Sequence, residues 1–124
     1  MKKIISTPNA PKPIGPYSQA VFVNNTLFVS GQIPVNPLSG KIESTDIKEQ
    51  TRQVMDNIKS ILEMAGMHFT NVIKTTIFIM NMDDFSKINE VYGSYFSADF
   101  PARETVEVAR LPLNASVEIS VIAV

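Results

Sequence analysis

Short runs of β-branched and aromatic residues predict two strands early in the chain. They cover residues 20–23 and 26–30 and are separated by Asn24 and Asn25. Asparagine tolerates a positive φ, so this pair predicts a tight two-residue hairpin. The stretch before them, residues 8–16, contains four of the eight prolines. Because proline fixes φ and cannot donate a backbone hydrogen bond, we expect an ordered but irregular loop there.

A change in hydrophobic period predicts the first helix over residues 46–65. Its apolar residues recur at intervals of three, four or seven, which places them on one helical face. They are Ile47, Val54, Ile58, Ile61, Leu62 and Ala65. Asp46 and Glu49 have the spacing of a capping box, and Gly66 is a typical helix terminator. Residues 36–40, ahead of this helix, predict a turn.

The second half of the chain predicts a strand, a helix and two more strands. The strand at residues 72–80 is rich in Ile and Thr, and the helix is expected to start at Asp83 or Asp84 and to end near Phe96. Further strands are expected at residues 105–108 and 116–124. The predicted order is therefore β-β-α-β-α-β-β, an α+β fold.

Both faces of the predicted strands are apolar. Residues 21–23, 27–29, 77–80 and 121–124 are continuous apolar runs, whereas a sheet with one face in water alternates apolar and polar residues. Two helices can cover only one face of a five- or six-stranded sheet. The simplest cover for the other face is a second copy of the chain, so the pattern predicts an obligate oligomer.

Length and composition indicate one globular domain, residues 1–124. The hydrophobic fraction is 44%, and eleven basic against twelve acidic residues give a net charge of −1. Nucleic-acid partners are not expected, because phosphate binding needs a surplus of Lys and Arg on one face. No apolar segment has the length of a membrane span, and the first eight residues do not resemble a signal peptide. We therefore expect a cytoplasmic protein without a membrane partner.

The chain contains no cysteine and one histidine, His68. This composition excludes disulfides, thiol nucleophiles and Cys-ligated metals, and it leaves no residues for the zinc-deaminase pattern. We expect no metal site and no cofactor. His68 follows Gly66 and is interpreted as a surface or capping residue.

A few polar residues stand out against the apolar pattern, and each has two interpretations. Glu118 is either a solvated strand residue or a carboxylate on a largely covered face, where its pKa would be perturbed. Arg103 is either a surface or ion-paired arginine, or its guanidinium binds the carboxylate of a ligand through two parallel hydrogen bonds. Tyr17 is a packing residue or part of a binding loop, and Gly31 ends a strand or admits a ligand to bare backbone. Arg110 and Glu107 are interpreted as structural pairs.

An ordered set of motifs resembles the RidA/YjgF family over essentially the whole chain. The motifs are Ala10-Pro11, Ile14-Gly15-Pro16-Tyr17-Ser18-Gln19, Ser30-Gly31-Gln32-Ile33-Pro34, Asn89-Glu90-Val91-Tyr92, Pro101-Ala102-Arg103 and Val106-Glu107-Val108-Ala109-Arg110-Leu111-Pro112. Each motif alone is weak, but their order is specific.

The resemblance implies a chorismate-mutase-like α+β fold with two helices on one sheet face. It also implies a homotrimer whose sheets face an inner β-barrel and whose clefts lie between subunits. Members of this subgroup are 2-iminobutanoate/2-iminopropanoate deaminases. They hydrolyse the enamines and imines released by pyridoxal-phosphate dehydratases to 2-oxo acids and ammonia, a form of metabolite damage control. The expected partner is thus a small 2-imino or 2-enamino acid.

The resemblance also implies roles for individual residues. Arg103 and Glu118 would be catalytic, with Arg103 holding the substrate carboxylate and Glu118 orienting the attacking water and relaying its proton. Tyr17, Ser30, Gly31, Asn89 and Thr105 would join Arg103 in binding the substrate. Many members carry cysteine where this chain has Thr105, so a thiol mechanism is impossible here. Glu104 would weaken carboxylate binding if it pointed into the cleft.

Two other functions are compatible with parts of this pattern. The first is a non-catalytic ligand-binding or regulatory trimer, which would keep Arg103 and the cleft but would not need Glu118 to be ionised. The second is an RNA-cleaving translation inhibitor, against which the sequence pI of about 5.8 and the lack of a basic stripe argue.

Overall fold

The computed structural model describes residues 1–124. Eight strands and two helices follow one another in the chain. They are β1 (Lys3–Ile5), β2 (Ala20–Val23), β3 (Thr26–Gln32), β4 (Val35–Asn36), β5 (Lys41–Ile42), α1 (Ile47–Met64), β6 (Val72–Ile79), α2 (Phe85–Gly93), β7 (Ala102–Glu107) and β8 (Val117–Ala123). Three 3₁₀ turns, Phe69–Asn71, Met82–Asp84 and Pro112–Asn114, join some of them.

Six of the strands form one mixed sheet in the order β1-β2-β3-β8-β6-β7. All neighbours are antiparallel except β6 and β7, which are parallel. A parallel pair needs a crossover, and the segment containing α2 supplies it. β4 and β5 form a separate small hairpin. The predicted α+β class is confirmed.

Both helices pack on the same face of the sheet. Strand β8 shows why, since its residues alternate between buried and half-buried positions. The buried set of β8 (Val117, Ile119, Val121 and Ala123) joins one core cluster with the apolar faces of α1 and α2. Each fully buried aliphatic side chain stabilises the fold by about 1.5–3 kcal/mol relative to exposure.

The predicted turn and helix terminator of the first half are confirmed, whereas the predicted capping box is only half formed, because Asp46 N donates to Ser44 Oγ at 3.0 Å and not to the Glu49 side chain. Asn24 and Asn25 have φ values of 49° and 57°, as a two-residue hairpin turn requires. The side chain of Asp46 accepts a hydrogen bond from Glu49 N at 3.0 Å and so caps α1. Gly66, just beyond α1, has a φ of 74°, a conformation that glycine adopts without strain.

Several predictions about the elements and their caps were wrong, including the start of β7, which lies at Ala102 and not at residue 105. Strand β1 and the β4–β5 hairpin were not expected, because strands of two or three residues are too short to show an alternating pattern. Helix α2 ends at Gly93 and not near Phe96. Neither Asp83 nor Asp84 caps α2 with its side chain, because a 3₁₀ turn precedes the helix and Asn81 accepts from Asp83 N at 2.9 Å.

The sheet face away from the helices, which we call the open face, carries partly exposed apolar residues. Register pairs Ile4 with Val21, Val21 with Phe28 and Phe28 with Ile122, so these four form a row across four strands. Phe28 is 47% exposed in the single chain. This part of the open face is therefore apolar, as the sequence predicts, while Lys74, Thr76 and Glu104 make the β6–β7 part polar. The covering of the open face by another copy stays a prediction. Neither helix is long and apolar enough to cross a membrane.

Candidate active site

Glu118 lies on the open face, in a cleft of about 370 Å³. The side chain follows the buried Val117 and therefore points away from the helices. The other lining residues are Ile14, Tyr17, Ser30, Gly31, Ile33 and Pro112. The structure thus brings together four of the predicted site residues: Tyr17, Ser30, Gly31 and Glu118.

Gly31 is required by the position of the Glu118 carboxylate. It lies in an irregularity of the β3–β8 pairing between Val29 and Gln32. A Cβ atom on Gly31 would be only 2.6 Å from Glu118 Oε2, closer than real contacts allow. The glycine therefore lets the carboxylate rest against bare backbone. Its role is more specific than that of a strand terminator.

The environment of Glu118 changes its acidity. The side chain is half-buried, and no hydrogen-bond donor or cation of the chain contacts its carboxylate. Removal from water disfavours the charged form, so burial raises the pKa of Glu118 above its ordinary value of 4.5. A carboxyl group with a raised pKa is better matched to proton transfer near neutral pH.

The wall opposite Glu118 is built by the proline-rich loop. Gln19 is buried and anchors this loop, since its amide accepts from Thr7 N at 2.7 Å and donates to Pro11 O at 2.9 Å. The loop ends in a compact turn, in which Tyr17 N donates to Gly15 O at 2.9 Å. Tyr17 is 50% exposed, so its ring forms a cleft wall and is not a core residue.

Ser30 joins the same wall to β3. Its hydroxyl donates to Ser18 O at 2.6 Å, and its backbone N–H donates to Gln19 O at 2.9 Å. Ser30 therefore holds the loop against the strand beside Gly31. The hydroxyl oxygen still has lone pairs that can accept a hydrogen bond from a ligand.

Arg103 lies at a second place, on the edge strand β7 and against α2. Its Nη1 donates to Asn89 Oδ1 at 2.7 Å. The guanidinium lies 5.1 Å from the ring centre of Tyr92 and 5.5 Å from that of Phe85. Phe85, Asn89 and Tyr92 follow one another at intervals of four and three residues, so they lie on one face of α2. Together they hold the guanidinium by cation–π contacts and an amide hydrogen bond.

Arg103 has no carboxylate partner within ion-pair distance. The interpretation as an ion-paired arginine is therefore wrong. A guanidinium has five N–H donors, and one is used by Asn89. The fork is consequently held in place and keeps donors for an anionic ligand. Tyr92 belongs to one of the ordered motifs, but Phe85 and Tyr92 have the spacing of an apolar helix face, and nothing in that spacing indicates this second role.

Thr105 lies two residues further along β7, on the same side of the strand as Arg103. Its hydroxyl oxygen is buried and has no hydrogen-bond partner. A buried hydroxyl without a partner is unfavourable, and such groups often mark a site. Thr105 thus has an unused donor next to the arginine fork.

Glu104 points to the opposite side of β7 from Arg103. It forms an ion pair with Lys74 at 2.9 Å and accepts from Thr76 Oγ1 at 3.4 Å. The hydrogen bond from Lys74 is the main cause of the lowered pKa of Glu104. Within one chain, Glu104 therefore adds no charge on the Arg103 side of the strand.

The predicted site residues form two groups on opposite faces of the sheet. Arg103 pairs with Thr75 of β6, whereas Glu118 pairs with Phe78 of the same strand. Positions 75 and 78 differ by an odd number, so side chains there point to opposite faces. The helix-face group comprises Asn89, Arg103 and Thr105, and the open-face group comprises Tyr17, Ser30, Gly31 and Glu118.

Other polar residues singled out from the sequence are structural. Glu107 Oε1 accepts from Met82 N at 2.8 Å, which agrees with a structural role. Arg110 has no carboxylate partner, so its interpretation as a member of a structural pair was wrong. His68 is exposed and its backbone N–H donates to Asn71 Oδ1 at 2.9 Å, as expected for a surface residue. No group of three His, Asp or Glu side chains converges to hold a metal ion.

Comparison with known sequences identifies the class of protein. The sequence model of the family described as endoribonuclease L-PSP matches residues 7–124. The chain belongs to this family, which also carries the names RidA, YjgF and RutC. The resemblance inferred from the ordered motifs is therefore confirmed.

Individual relatives are similar over nearly their whole length. A RutC family protein of Pyrococcus horikoshii is 56% identical over 99% of this chain and 98% of its own. A Lactococcus lactis protein named as a proposed regulator, AldR, is 53% identical over 98% and 96%. Human 2-iminobutanoate/2-iminopropanoate deaminase is 44% identical over 100% and 90%.

Solved structures agree with the fold. The E. coli YjgF gene product superposes with a TM-score of 0.94, at 47% identity and with 98% of each chain covered. E. coli TdcF with bound serine also has a TM-score of 0.94, at 46% identity and the same coverage. The six-stranded mixed sheet with two helices is thus the fold of these proteins.

Proposed function

We propose that this protein is a cofactor-free 2-iminobutanoate/2-iminopropanoate deaminase that acts as a homotrimer. Each site would lie between two subunits, with the helix-face group of one chain meeting the open-face group of the next. The open faces would line an inner barrel, as in a chorismate-mutase-like assembly. The substrates would be the enamine and imine products of dehydratases that use pyridoxal phosphate.

The observation that carries this proposal is the placement of Arg103 and Glu118 on opposite faces of the sheet. A substrate of three or four carbons cannot contact both side chains of one chain, because the sheet separates them. A second copy packed on the open face would bring a neighbour's Arg103 to the Glu118 cleft. The same packing would cover the exposed apolar row through Phe28, so one arrangement accounts for both features.

Arg103 would hold the substrate carboxylate. Its guanidinium is fixed by Asn89 and by two aromatic rings, and its planar fork matches a carboxylate in a bidentate pair. The buried hydroxyl of Thr105 would donate a further hydrogen bond. Because the arginine is held before the substrate arrives, little side-chain entropy remains to be lost on binding.

Glu118 would carry the proton transfers. An enamine first takes a proton at C3 and becomes the imine, whose C2 is electrophilic. Ionised Glu118 then takes a proton from water as the water oxygen bonds to C2, and the C=N π electrons move to nitrogen. Glu118 returns the proton to nitrogen and so makes it an ammonium group. As the C–N bond breaks and ammonia leaves, Glu118 takes the hydroxyl proton, so that the C=O of the 2-oxo acid forms and the carboxylate is regenerated. Orientation and acid–base help of about 10²–10⁴-fold suffice for such a reactive substrate.

The relatives support this assignment. The human and bovine proteins named 2-iminobutanoate/2-iminopropanoate deaminase are 44% and 48% identical to this chain. The solved TdcF structure contains serine, a small molecule with the carboxylate that Arg103 is proposed to bind.

The test couples this protein to a threonine dehydratase. The dehydratase releases 2-aminocrotonate in buffer, and the extra rate of 2-oxobutanoate and ammonia formation is followed with wild type and with Arg103→Ala. We expect acceleration by the wild type and its loss in the variant. A folded wild-type protein that leaves the buffer rate unchanged would overturn the enzymatic assignment.

A ligand-binding regulator is the second candidate, favoured by the relative named as a proposed regulator. Glu118→Gln separates the two functions, because a binder does not need an ionised carboxylate. An enzyme loses turnover in this variant, whereas a regulator keeps its affinity for 2-oxo acids and shows no turnover in either form.

A further inference from the structure

Thr75 is a polar residue inside the core, on the helix face of β6. Its side chain is fully buried. Its neighbours on that face, Ile77 on the same strand and the cross-strand partner Val121 on β8, are buried and aliphatic. Valine has nearly the same shape as threonine and no polar group, so packing alone does not explain the hydroxyl. A buried hydroxyl needs a hydrogen-bond partner, and this partner indicates what Thr75 does.

The partner of Thr75 is Tyr92 of α2. The Tyr92 hydroxyl donates to Thr75 Oγ1 at 3.0 Å, and both residues are buried. Burial raises the pKa of the tyrosine hydroxyl above its ordinary value of 10.0, so the group stays a donor throughout the neutral range. The hydrogen bond therefore fixes the outer end of the ring to the sheet, while the backbone of Tyr92 belongs to the helix.

The ring of Tyr92 also supports Arg103. The guanidinium carbon of Arg103 lies 5.1 Å from the centre of this ring. Of the two rings beside the guanidinium, that of Tyr92 is buried, whereas Phe85 is 38% exposed. Register in the parallel pair β6–β7 places Thr75 directly opposite Arg103. The three residues thus form a closed triangle of contacts that joins β6 to α2, α2 to β7 and β7 to β6.

The other contacts of Arg103 come from α2 alone. Asn89 Oδ1 accepts from Arg103 Nη1 at 2.7 Å, and the Phe85 ring lies one helical turn before Asn89. Both supports move with the helix. Apart from the contacts of Arg103 itself, the Tyr92–Thr75 hydrogen bond is the one side-chain hydrogen bond between α2 and the sheet. It therefore sets where the Tyr92 ring lies relative to the strands of the site.

We propose that Thr75 is a positioning residue for the carboxylate-binding arginine, which it holds in place through the Tyr92 ring. This proposal rests on the proposed deaminase function, in which Arg103 binds the substrate carboxylate. Thr75 is fully buried and does not touch the substrate. Its hydroxyl fixes the ring and the ring fixes the guanidinium, so the substrate meets an arginine that is already oriented.

The test removes the hydrogen bond from either end. Thr75→Val keeps the shape of the side chain and removes the acceptor, whereas Tyr92→Phe keeps the ring and removes the donor. Thr75→Ser is the conservative variant that retains a hydroxyl. Tyr95→Phe is the matched control, because the Tyr95 hydroxyl donates to Asp56 Oδ1 at 2.7 Å and has no contact with Arg103.

Steady-state kinetics with 2-aminocrotonate separate positioning from a general loss of stability. We expect Thr75→Val and Tyr92→Phe each to raise KM about fivefold, the usual effect of one neutral hydrogen bond, and to leave kcat within about twofold of wild type. The double variant should raise KM no further, because both changes remove the same interaction. Thr75→Ser and Tyr95→Phe should keep the wild-type KM.

A second readout does not depend on activity. The chain has three arginines, Arg52, Arg103 and Arg110, so the Nε–H signal of Arg103 in a ¹⁵N NMR spectrum is assigned by its loss in Arg103→Lys. The heteronuclear NOE of this signal reports motion on the picosecond-to-nanosecond timescale. We expect a rigid signal in wild type and Tyr95→Phe, and a clearly more mobile one when either end of the Tyr92–Thr75 hydrogen bond is removed.

The outcomes distinguish this proposal from the proposed function. A rigid Arg103 signal and an unchanged KM in both single variants would reduce Thr75 to a structural residue and leave the deaminase intact. A change in only one of the two readouts would also overturn the proposal, because the effect on substrate binding must pass through the arginine.

Failure of the folded wild type to accelerate hydrolysis of 2-aminocrotonate would refute the proposed function, and the NMR comparison would still decide whether Thr75 holds Arg103. If Thr75→Val does not fold, Tyr92→Phe decides both readouts.

Discussion

The carboxylate of Glu118 occupies the space that a side chain on Gly31 would need. The distance from a Cβ on residue 31 to Glu118 Oε2 would be 2.6 Å, and to the Glu118 Cδ it would be 2.8 Å. Most strand positions carry a side chain. Position 31 has none, and the Glu118 carboxylate fills that space. The relationship places Glu118 at the floor of the cleft and makes its position sensitive to residue 31.

Gly31→Ala is therefore expected to displace the Glu118 side chain. Because the carboxylate is the end of a flexible side chain, the fold should survive while the proton-transfer geometry is lost. We expect kcat to fall about tenfold or more and Tm to change by only a few degrees. Steady-state kinetics and thermal unfolding measure the two effects.

Gly93→Ala is the matched control for this variant. A Cβ at position 93 meets nothing within 4 Å, and the residue lies at the end of α2. Its activity should equal that of the wild type. Equal activity of the Gly31 and Gly93 variants would contradict the proposed position of the working carboxylate.

The raised pKa of Glu118 predicts two pH dependences. A base must be ionised, so kcat/KM should fall as the pH drops through a value above the ordinary carboxyl pKa of 4.5. The folded chain holds this proton more tightly than the unfolded chain does. Stability from this group is thus present at low pH and decreases as the pH rises through the folded pKa.

Glu118→Gln provides the comparison for the stability effect. The variant has no proton to release, so its free energy of unfolding should lack this decrease between the ordinary and the raised carboxyl pKa. Chemical denaturation of both proteins across that range measures it. A wild-type free energy that rises over the same range relative to the variant would show a lowered pKa instead.

Arg103→Lys tests the bidentate fork. Lysine keeps the charge but loses the planar pair of donors and the stacking on Tyr92 and Phe85. We expect KM for the imine to rise about tenfold, because one charge-assisted hydrogen bond is lost. Arg110→Lys, at an exposed arginine without a carboxylate partner, should leave KM unchanged. An equal KM in both variants would argue against a carboxylate clamp at Arg103.

Phe28→Asp tests the covering of the open face. Phe28 is 47% exposed and lies in the apolar row across the sheet. A charge buried at a subunit contact is costly, so we expect dissociation to monomers and loss of activity. Light scattering coupled to gel filtration reports the mass. Leu38→Asp, at a fully exposed loop leucine, should keep the wild-type mass, and a trimeric Phe28 variant would contradict packing through this face.

Much of the fold was predictable, because hydrophobic period and turn chemistry act locally. The period of α1, the cap at Asp46 and the hairpin at Asn24 are set by neighbouring residues, and the structure confirms them. Strand β1 was missed because three residues carry no recognisable period. The start of α2 was predicted to within one residue, but its side-chain cap was wrong, because Asn81 caps a 3₁₀ turn that precedes the helix.

The site was predictable residue by residue but not in its arrangement. Motif order indicated Arg103, and the apolar pattern of the last strand singled out Glu118. The faces on which these two side chains lie depend on how β7 and β8 pair with β6. Register between strands is a long-range property, and a shift of one residue exchanges the faces. The aromatic support of Arg103 was missed for a similar reason, since Phe85 and Tyr92 have the spacing of ordinary core residues.

The central claim is that each site combines Arg103 of one chain with Glu118 of another, and subunit mixing tests it most directly. Arg103→Ala and Glu118→Gln chains, each inactive alone, are unfolded together in equal amounts and refolded. A shared site regains about one quarter of wild-type activity, because one in four random pairings joins two native side chains. If the refolded mixed trimers are no more active than the separate variants, both residues of a site come from the same chain, and the claim is contradicted.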